Sequence, residues 1–162
     1  MTVMKMFEKL IPFCIFAVDQ YIKVLIRQYE PGFVLWRIDG FLEIRHSVNP
    51  GAAFSILSGN TALLILLSTM LICIITTLFF MCFNPGKAAR VSLLCLLGGA
   101  AGNLLDRILV SGVTDYIYVC FMNFPVFNFA DIAITSSVFV LIALLFTDNF
   151  EMNAGDRNGT SF

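Results

Sequence analysis

The sequence predicts an all-α membrane protein, a bundle of four transmembrane helices with a small extramembrane segment between the first and second. Three observations predict this. Hydrophobic residues make up 59% of the chain and charged residues 13%, where a soluble domain carries about 25% charged residues. The stretch Thr61 to Phe83 contains no charge and is long enough to cross a hydrocarbon core with some tilt. Three further apolar stretches of spanning length are separated from it by polar, Pro- and Gly-containing turns.

The first span is expected at about residues 7–28. Lys5 and Lys9 ahead of the apolar run Leu10 to Val18 imitate a cleavable signal peptide. No small-x-small cleavage site follows, however, and apolar character resumes to Ile26, so the segment reads as an uncleaved helix. Asp19 and Lys23 stand four apart on one face and can pair. That pair either lets the helix tolerate its own charges or braces a polar site nearby.

Residues 30–59 change character. Gly32 to Ile38 and Gly40 to Ser47 have β-like alternation, and Ala52 to Leu57 suits a short amphipathic helix. This segment is expected to lie on the bilayer surface. The second span, about 61–83, shows no chemistry and ends at the turn Asn84-Pro85-Gly86. The third, about 89–110, carries Gly98 and Gly102 at GxxxG spacing, which lets another helix backbone approach closely. Near its end come Asn103, Asp106 and Arg107, and Asp106 and Arg107 could simply meet headgroups and water. Residues 111–125 form a connection whose only charge is Asp115. The fourth span, about 126–147, has Asp131 one turn inside, with Asn128 and Thr135 on the same face. Residues 1–148 thus read as one domain, and 149–162 as a polar tail.

The net charge of −1 comes from 10 basic and 11 acidic residues with no basic run, which argues against nucleic-acid binding. Five cysteines without a CxxC pair and a single histidine, His46, offer neither a disulfide framework nor a metal site. The lysine and arginine distribution places both termini in the cytoplasm. Asn49, Asp115 and Asp131 then share the outer face.

If the third and fourth spans are antiparallel neighbours, Asp115 and Asp131 converge at one membrane depth. Two close carboxylates in apolar surroundings share a proton, so one can activate water while the other protonates a carbonyl or a leaving amine. Paired intramembrane carboxylates also serve as proton or cation relays. These residues alone leave hydrolase and transporter readings open.

Five blocks together resemble the bacterial lipoprotein signal peptidases (type II signal peptidases). They are Asp19-Gln20 with Lys23, Asn49-x-Gly51-Ala52-Ala53-Phe54-Ser55, Gly98-Gly99-x-x-Gly102-Asn103-x-x-Asp106-Arg107, Val113-x-Asp115-Tyr116 and Phe127-Asn128-x-Ala130-Asp131. They occur in the family's order, and the resemblance covers about residues 7–147. It implies an aspartyl endopeptidase of the bacterial inner membrane that releases the signal peptide of a diacylglyceryl-modified prolipoprotein, cutting just before the lipidated cysteine. Asp115 and Asp131 would be the catalytic dyad. Asn49, Asn103, Arg107 and Asn128 would hold substrate or position the dyad, with Asp19, Lys23 and Asp106 as structural support. The resemblance further implies no metal or organic cofactor, and a four-helix bundle with a small extramembrane β-cradle and a short periplasmic helix. The partners expected are the lipidated prolipoprotein and membrane lipids, with the enzyme acting as a monomer.

Overall fold

The computed structural model describes residues 7–51, 57–81, 86–122 and 124–146. The expected short helix at 52–57 and the tail at 149–162 fall outside these residues, apart from Leu57, as do Asn84 and Pro85 of the turn before the third span.

Helix α1 is Ile11–Ile26, with Pro12 in its first turn, where a missing N–H costs nothing. Strands β1 (Val34–Ile38) and β2 (Leu42–Asn49) follow, then helix α2 (Thr61–Met81) and helix α3 (Lys87–Val110). Strand β3 (Val113–Val119) runs into a single 3₁₀ turn at Cys120–Met122, and helix α4 is Phe129–Phe146. Among the described helices, α3 and α4 are long and apolar enough to cross a membrane, and Thr61–Thr77 of α2 forms a shorter apolar stretch.

Helix α3 is the central element and packs against α1, α2 and α4. Its glycines explain how. A Cβ on Gly98 would stand 2.7 Å from the carbonyl oxygen of Pro12, and one on Gly99 would stand 2.8 Å from that of Ala130. The glycine stretch therefore admits the backbones of α1 and α4 on two sides, a broader use than a single GxxxG face. Apolar side chains such as Phe13, Leu66, Phe139 and Phe146 stay exposed on the outer surfaces of the helices, as they would toward lipid. The buried side chains are unusually polar. Lys23, Asn128, Thr114, Asp19, Asp106 and Asp115 are among the largest fully buried ones.

The three strands form an antiparallel sheet in the order β1-β2-β3. The β1–β2 hairpin turns at Asp39-Gly40, where Gly40 takes φ 71°, a conformation other residues reach only with strain. Strand β3 corrects the expectation of a plain connection at 111–125. Its alternation Val-x-x-Tyr-Ile-Tyr-Val is short and interrupted by Thr114 and Asp115, so it is a strand only because β2 supplies a partner edge far away in sequence. The chain enters it directly from α3 through Ser111 at φ 57°. A Cβ on the next residue, Gly112, would meet Val48 Cγ1 at 2.9 Å and the Asn49 carbonyl oxygen at 3.0 Å.

Helix α4 begins at Phe129, later than the hydropathy boundary near Val126. The preceding residues run along β3 instead, with Phe127 bonded to Ile117 in both directions (2.8 and 3.0 Å). This pairing pins the start of α4 beside β3.

Candidate active site

Three helix positions four residues apart, Asp19, Lys23 and Arg27, bring one charged face of α1 against α3. Lys23 Nζ reaches Asp19 Oδ2 at 2.8 Å and Asp106 Oδ2 at 3.4 Å, and donates to Asn103 Oδ1 at 2.8 Å. Asp106 also accepts from Gln20 Nε2 (3.1 Å), the Thr114 backbone N–H (2.8 Å) and the Arg27 guanidinium. Arg27 Nε donates to Thr114 Oγ1 at 2.7 Å, and Asp19 Oδ1 accepts from the Ala130 N–H at 3.0 Å. Asp19, Lys23 and Asp106 are wholly shielded from solvent. Asp106 thus lies inside the protein and does not meet headgroups. This cluster ties α1, α3, β3 and α4 together, with two carboxylates facing two cations.

Next to it lies a second cluster. Asn128 immediately precedes α4 and caps it: its Oδ1 accepts from the Asp131 N–H at 2.9 Å, while Asp131 Oδ2 accepts from the Asn128 N–H at 3.1 Å. This is a capping box built from Asn and Asp, so the position of Asp131 is fixed by the start of its own helix. The amide of Asn128 donates to Asp115 Oδ1 at 2.6 Å and to Asn103 Oδ1 at 3.2 Å. Asn103 Nδ2 donates in turn to Asp131 Oδ1 at 2.8 Å. One asparagine therefore touches both carboxylates, and a second joins Asp131 to the lysine cluster.

Strand β3 places Asp115 from the other side, its backbone opposite Ser47 of β2. The side chain of Asn49 also bonds to Asp115, and its Oδ1 accepts from the Gly51 N–H at 3.0 Å. Burial, and then the neighbouring charge of Asp131, push the Asp115 carboxyl up to about 7. Arg107 donates to the Asn103 carbonyl at 3.3 Å and to the Gly51 carbonyl at 3.5 Å, and its Nε is buried without a partner among the described residues. No hydrogen bond among the described residues joins Arg107 to Asp115 or Asp131.

Asn49, Asn103, Arg107, Asp115 and Asp131 line one cavity of about 570 Å³. Phe124, Pro125, Val126 and Phe127 line it as well, and it continues along α4 past Ile132 and Thr135 to Phe139. Such an arrangement places a carboxyl that keeps its proton near neutral pH beside a second carboxylate, at the polar end of an apolar groove. That suffices for general acid–base chemistry on water and a bound amide.

Of the nine residues expected in or around the site, five line the cavity, Asn128 stands directly behind them, and Asp19, Lys23 and Asp106 form the sealed cluster. The sequence reading gave no part to Arg27 or Thr114, and it named Tyr116 only within the block Val113-x-Asp115-Tyr116, without a role. Arg27 carries a usable signal, since it continues the spacing of Asp19 and Lys23. Thr114, and the role of Tyr116, become visible only once β3 is recognised as a strand. Tyr116 is buried, and its hydroxyl accepts from the Phe129 N–H at 3.1 Å. No group of three or more potential metal ligands occurs among the described residues.

A family model described as signal peptidase (SPase) II matches residues 11–147. The chain is 34% identical over 147 residues to a lipoprotein signal peptidase of Listeria monocytogenes serotype 4a, covering 89% of this chain and 96% of that protein. It is 36% identical over 134 residues to the lipoprotein signal peptidase of Moorella thermoacetica, covering 82% and 87%. Among solved structures, a bacterial membrane enzyme determined by the in meso method at 2.3 Å superposes with a TM-score of 0.81 at 28% identity, covering 94% of each chain. A second, at 1.9 Å, gives 0.75 at 29% identity over 87% of this chain.

Proposed function

The chain belongs to the signal peptidase II family, a family of membrane proteases, and on that premise we propose that it removes the signal peptide from diacylglyceryl-modified prolipoproteins through an Asp115–Asp131 dyad. Cleavage falls just before the lipidated cysteine. The observation that carries this reading is the bridging of both carboxylates by Asn128, directly behind the cavity that the two carboxylates line.

The dyad enters the reaction with one proton, held on Asp115 up to about pH 7. Asp131, fixed by its capping box and by Asn103, takes a proton from a water molecule as that water attacks the scissile carbonyl. Asp115 gives its proton to the carbonyl oxygen, and the resulting gem-diol collapses as the C–N bond breaks, the leaving nitrogen taking the proton from Asp131 while one hydroxyl returns its proton to Asp115. Asn49 and Arg107 hold the substrate backbone at the polar end of the groove. The apolar strip down α4 receives lipid chains or the signal helix. Metal and organic cofactor have no part in these steps.

In this reading α1 to α4 are the four spans of a single domain over residues 1–148, working as a monomer in the bacterial inner membrane. Both termini are cytoplasmic, and the sheet and dyad face the periplasm. The exposed apolar surfaces of the helices support this placement, as does the gathering of site polar groups at one end of α3 and the start of α4.

The test is direct. The purified protein in detergent is given a diacylglyceryl-modified prolipoprotein and signal-peptide release is followed on a gel. Release by the parent, with loss in Asp115→Asn and in Asp131→Asn at unchanged folded yield, is expected. Release by either variant at the parental rate removes that residue from the dyad.

A further inference from the structure

We propose that Lys23 is a positioning residue of the reaction, its buried ammonium fixing the amide orientation of Asn103 so that the donor of that amide is held on Asp131. The inference rests on the dyad described above and goes beyond it, since Lys23 touches neither carboxylate of the pair.

An asparagine side chain can present its oxygen or its nitrogen to a given neighbour, and the two ends differ in hydrogen-bonding sign. Asn103 Oδ1 stands 2.8 Å from Lys23 Nζ and 3.2 Å from Asn128 Nδ2, two donors. Reversing the amide would set its N–H groups against both donors and remove the bond from Nδ2 to Asp131 Oδ1. Asn128 is itself oriented, by the Asp131 N–H on its Oδ1 and by Asp115 on its Nδ2, so it favours the same choice, and Lys23 adds a second donor on Asn103 Oδ1. An ammonium has no acceptor and cannot reorient to suit. Lys23 is itself held, with one proton each for Asp19, Asp106 and Asn103. The chain of donors runs from Lys23 through Asn103 to Asp131, and the acceptor on Asn103 also keeps the amide of Asn128 turned toward Asp115.

Lys23 also acts by its field. The charged or titratable groups that act on Asp115 are Asp131 on α4, Lys23 on α1, Arg107 on α3 and Tyr116 on its own strand, with Asp19, Asp106 and Arg27 next to them around Lys23 and His46 on β2 turned to the Tyr29 carbonyl. The Lys23 charge is among those that hold the Asp115 carboxyl down against burial. Its removal therefore raises the pH at which Asp115 gives up its proton, and recovery of kcat by an uncharged donor at the same place separates the positioning of Asn103 from this field effect and from a purely structural role.

The experiment compares full-length parent, Asp19→Asn/Lys23→Met and Asp19→Asn/Lys23→Gln in detergent with the lipidated prolipoprotein. Pairing the two changes keeps the buried charge balanced, and Asp106 retains Arg27. The Met variant is expected to lose about a hundredfold in kcat with little change in KM, and its alkaline limb should move to higher pH. The Gln variant restores an uncharged donor toward Asn103, so kcat should largely recover while the limb stays displaced. A folded Met variant with parental kcat and limb overturns the inference, as does a loss in both variants that merely tracks the folded fraction. If the parent itself releases no peptide, the proposed function has failed; a cutting parent with cutting variants refutes Lys23 alone.

Discussion

Two polar clusters lie side by side in this apolar chain and are built from the same residue types, yet they differ in how their charges are settled. In the cluster of Asp19, Lys23, Arg27 and Asp106, two carboxylates face two cations, and the acids and Lys23 are sealed from solvent. Around Asp115 and Asp131 the hydrogen-bond partners are amides and backbone, and both acids line an open cavity. Burying a charge without a counter-ion is costly, and the usual response is to keep a proton. The first cluster neutralises its acids internally and gains a rigid joint. The second leaves one proton to be moved, which is what a reaction on water needs.

The largest effects should come from the open cluster and fall on activity, without loss of stability. Asp115→Asn and Asp131→Asn are each expected to lower kcat by about 10³-fold or more, measured by signal-peptide release. The stability of Asp115→Asn makes the contrast sharper. The folded-state value of Asp115, about 7, lies above the ~3.9 of an unfolded aspartate. The folded protein therefore holds a proton that the unfolded chain has already lost. This carboxyl costs nothing below about pH 4, and its cost grows until it is complete above about pH 7. Asp115→Asn should accordingly melt above the parent at pH 8, with the difference gone at pH 4. A lower melting temperature at pH 8 would mean that the charge of Asp115 is satisfied in the folded state and that the two clusters are alike.

The sealed cluster should respond in the opposite sense. Asp106→Ala removes a partner of Lys23 and Arg27 and leaves the Thr114 N–H unpaired. Breaking a buried ion pair from one side costs about 3–5 kcal/mol, so thermal or denaturant unfolding should shift by that order while the surviving folded enzyme still cuts. Asn128→Ala tests the boundary. It loses the side-chain cap and the bonds its amide gives to Asp115 and Asn103, and a fall of about a hundredfold in kcat should accompany about 1 kcal/mol of lost stability, measured on one preparation.

How much of this division was legible in the sequence follows from where each residue's partners lie. Local spacing gave the helical stretches, the hairpin region and the pairing of Asp19 with Lys23, because those contacts are made within a turn or two. The list of site residues came from five blocks in order. Nothing local distinguished Asp106 from Asp115, since each is one acid in an apolar stretch. Asp106 is sealed because α1 brings Lys23 and Arg27 against it, and Asp115, though buried, lines the cavity because a strand pairing with β2 holds it at the wall. Both causes are long-range, and hydropathy that reads 111–125 as a connection cannot supply the second.

That strand also yields the smallest effect and a fine test of how separate the clusters are. The hydroxyl of Tyr116 accepts the Phe129 N–H at the start of α4, two residues before Asp131, while the residue as a whole is buried. Tyr116→Phe keeps the ring and strands one backbone donor, a loss of about 1 kcal/mol. The capping box of Asn128 and Asp131 does not use this hydroxyl, so kcat should stay near the parental value while the melting temperature falls slightly. A drop in kcat at unchanged stability would mean that the start of α4 is held in place by β3 and not by its own cap. Asp131 would then depend on the same long-range pairing as Asp115, and the open cluster would be a product of the sheet alone.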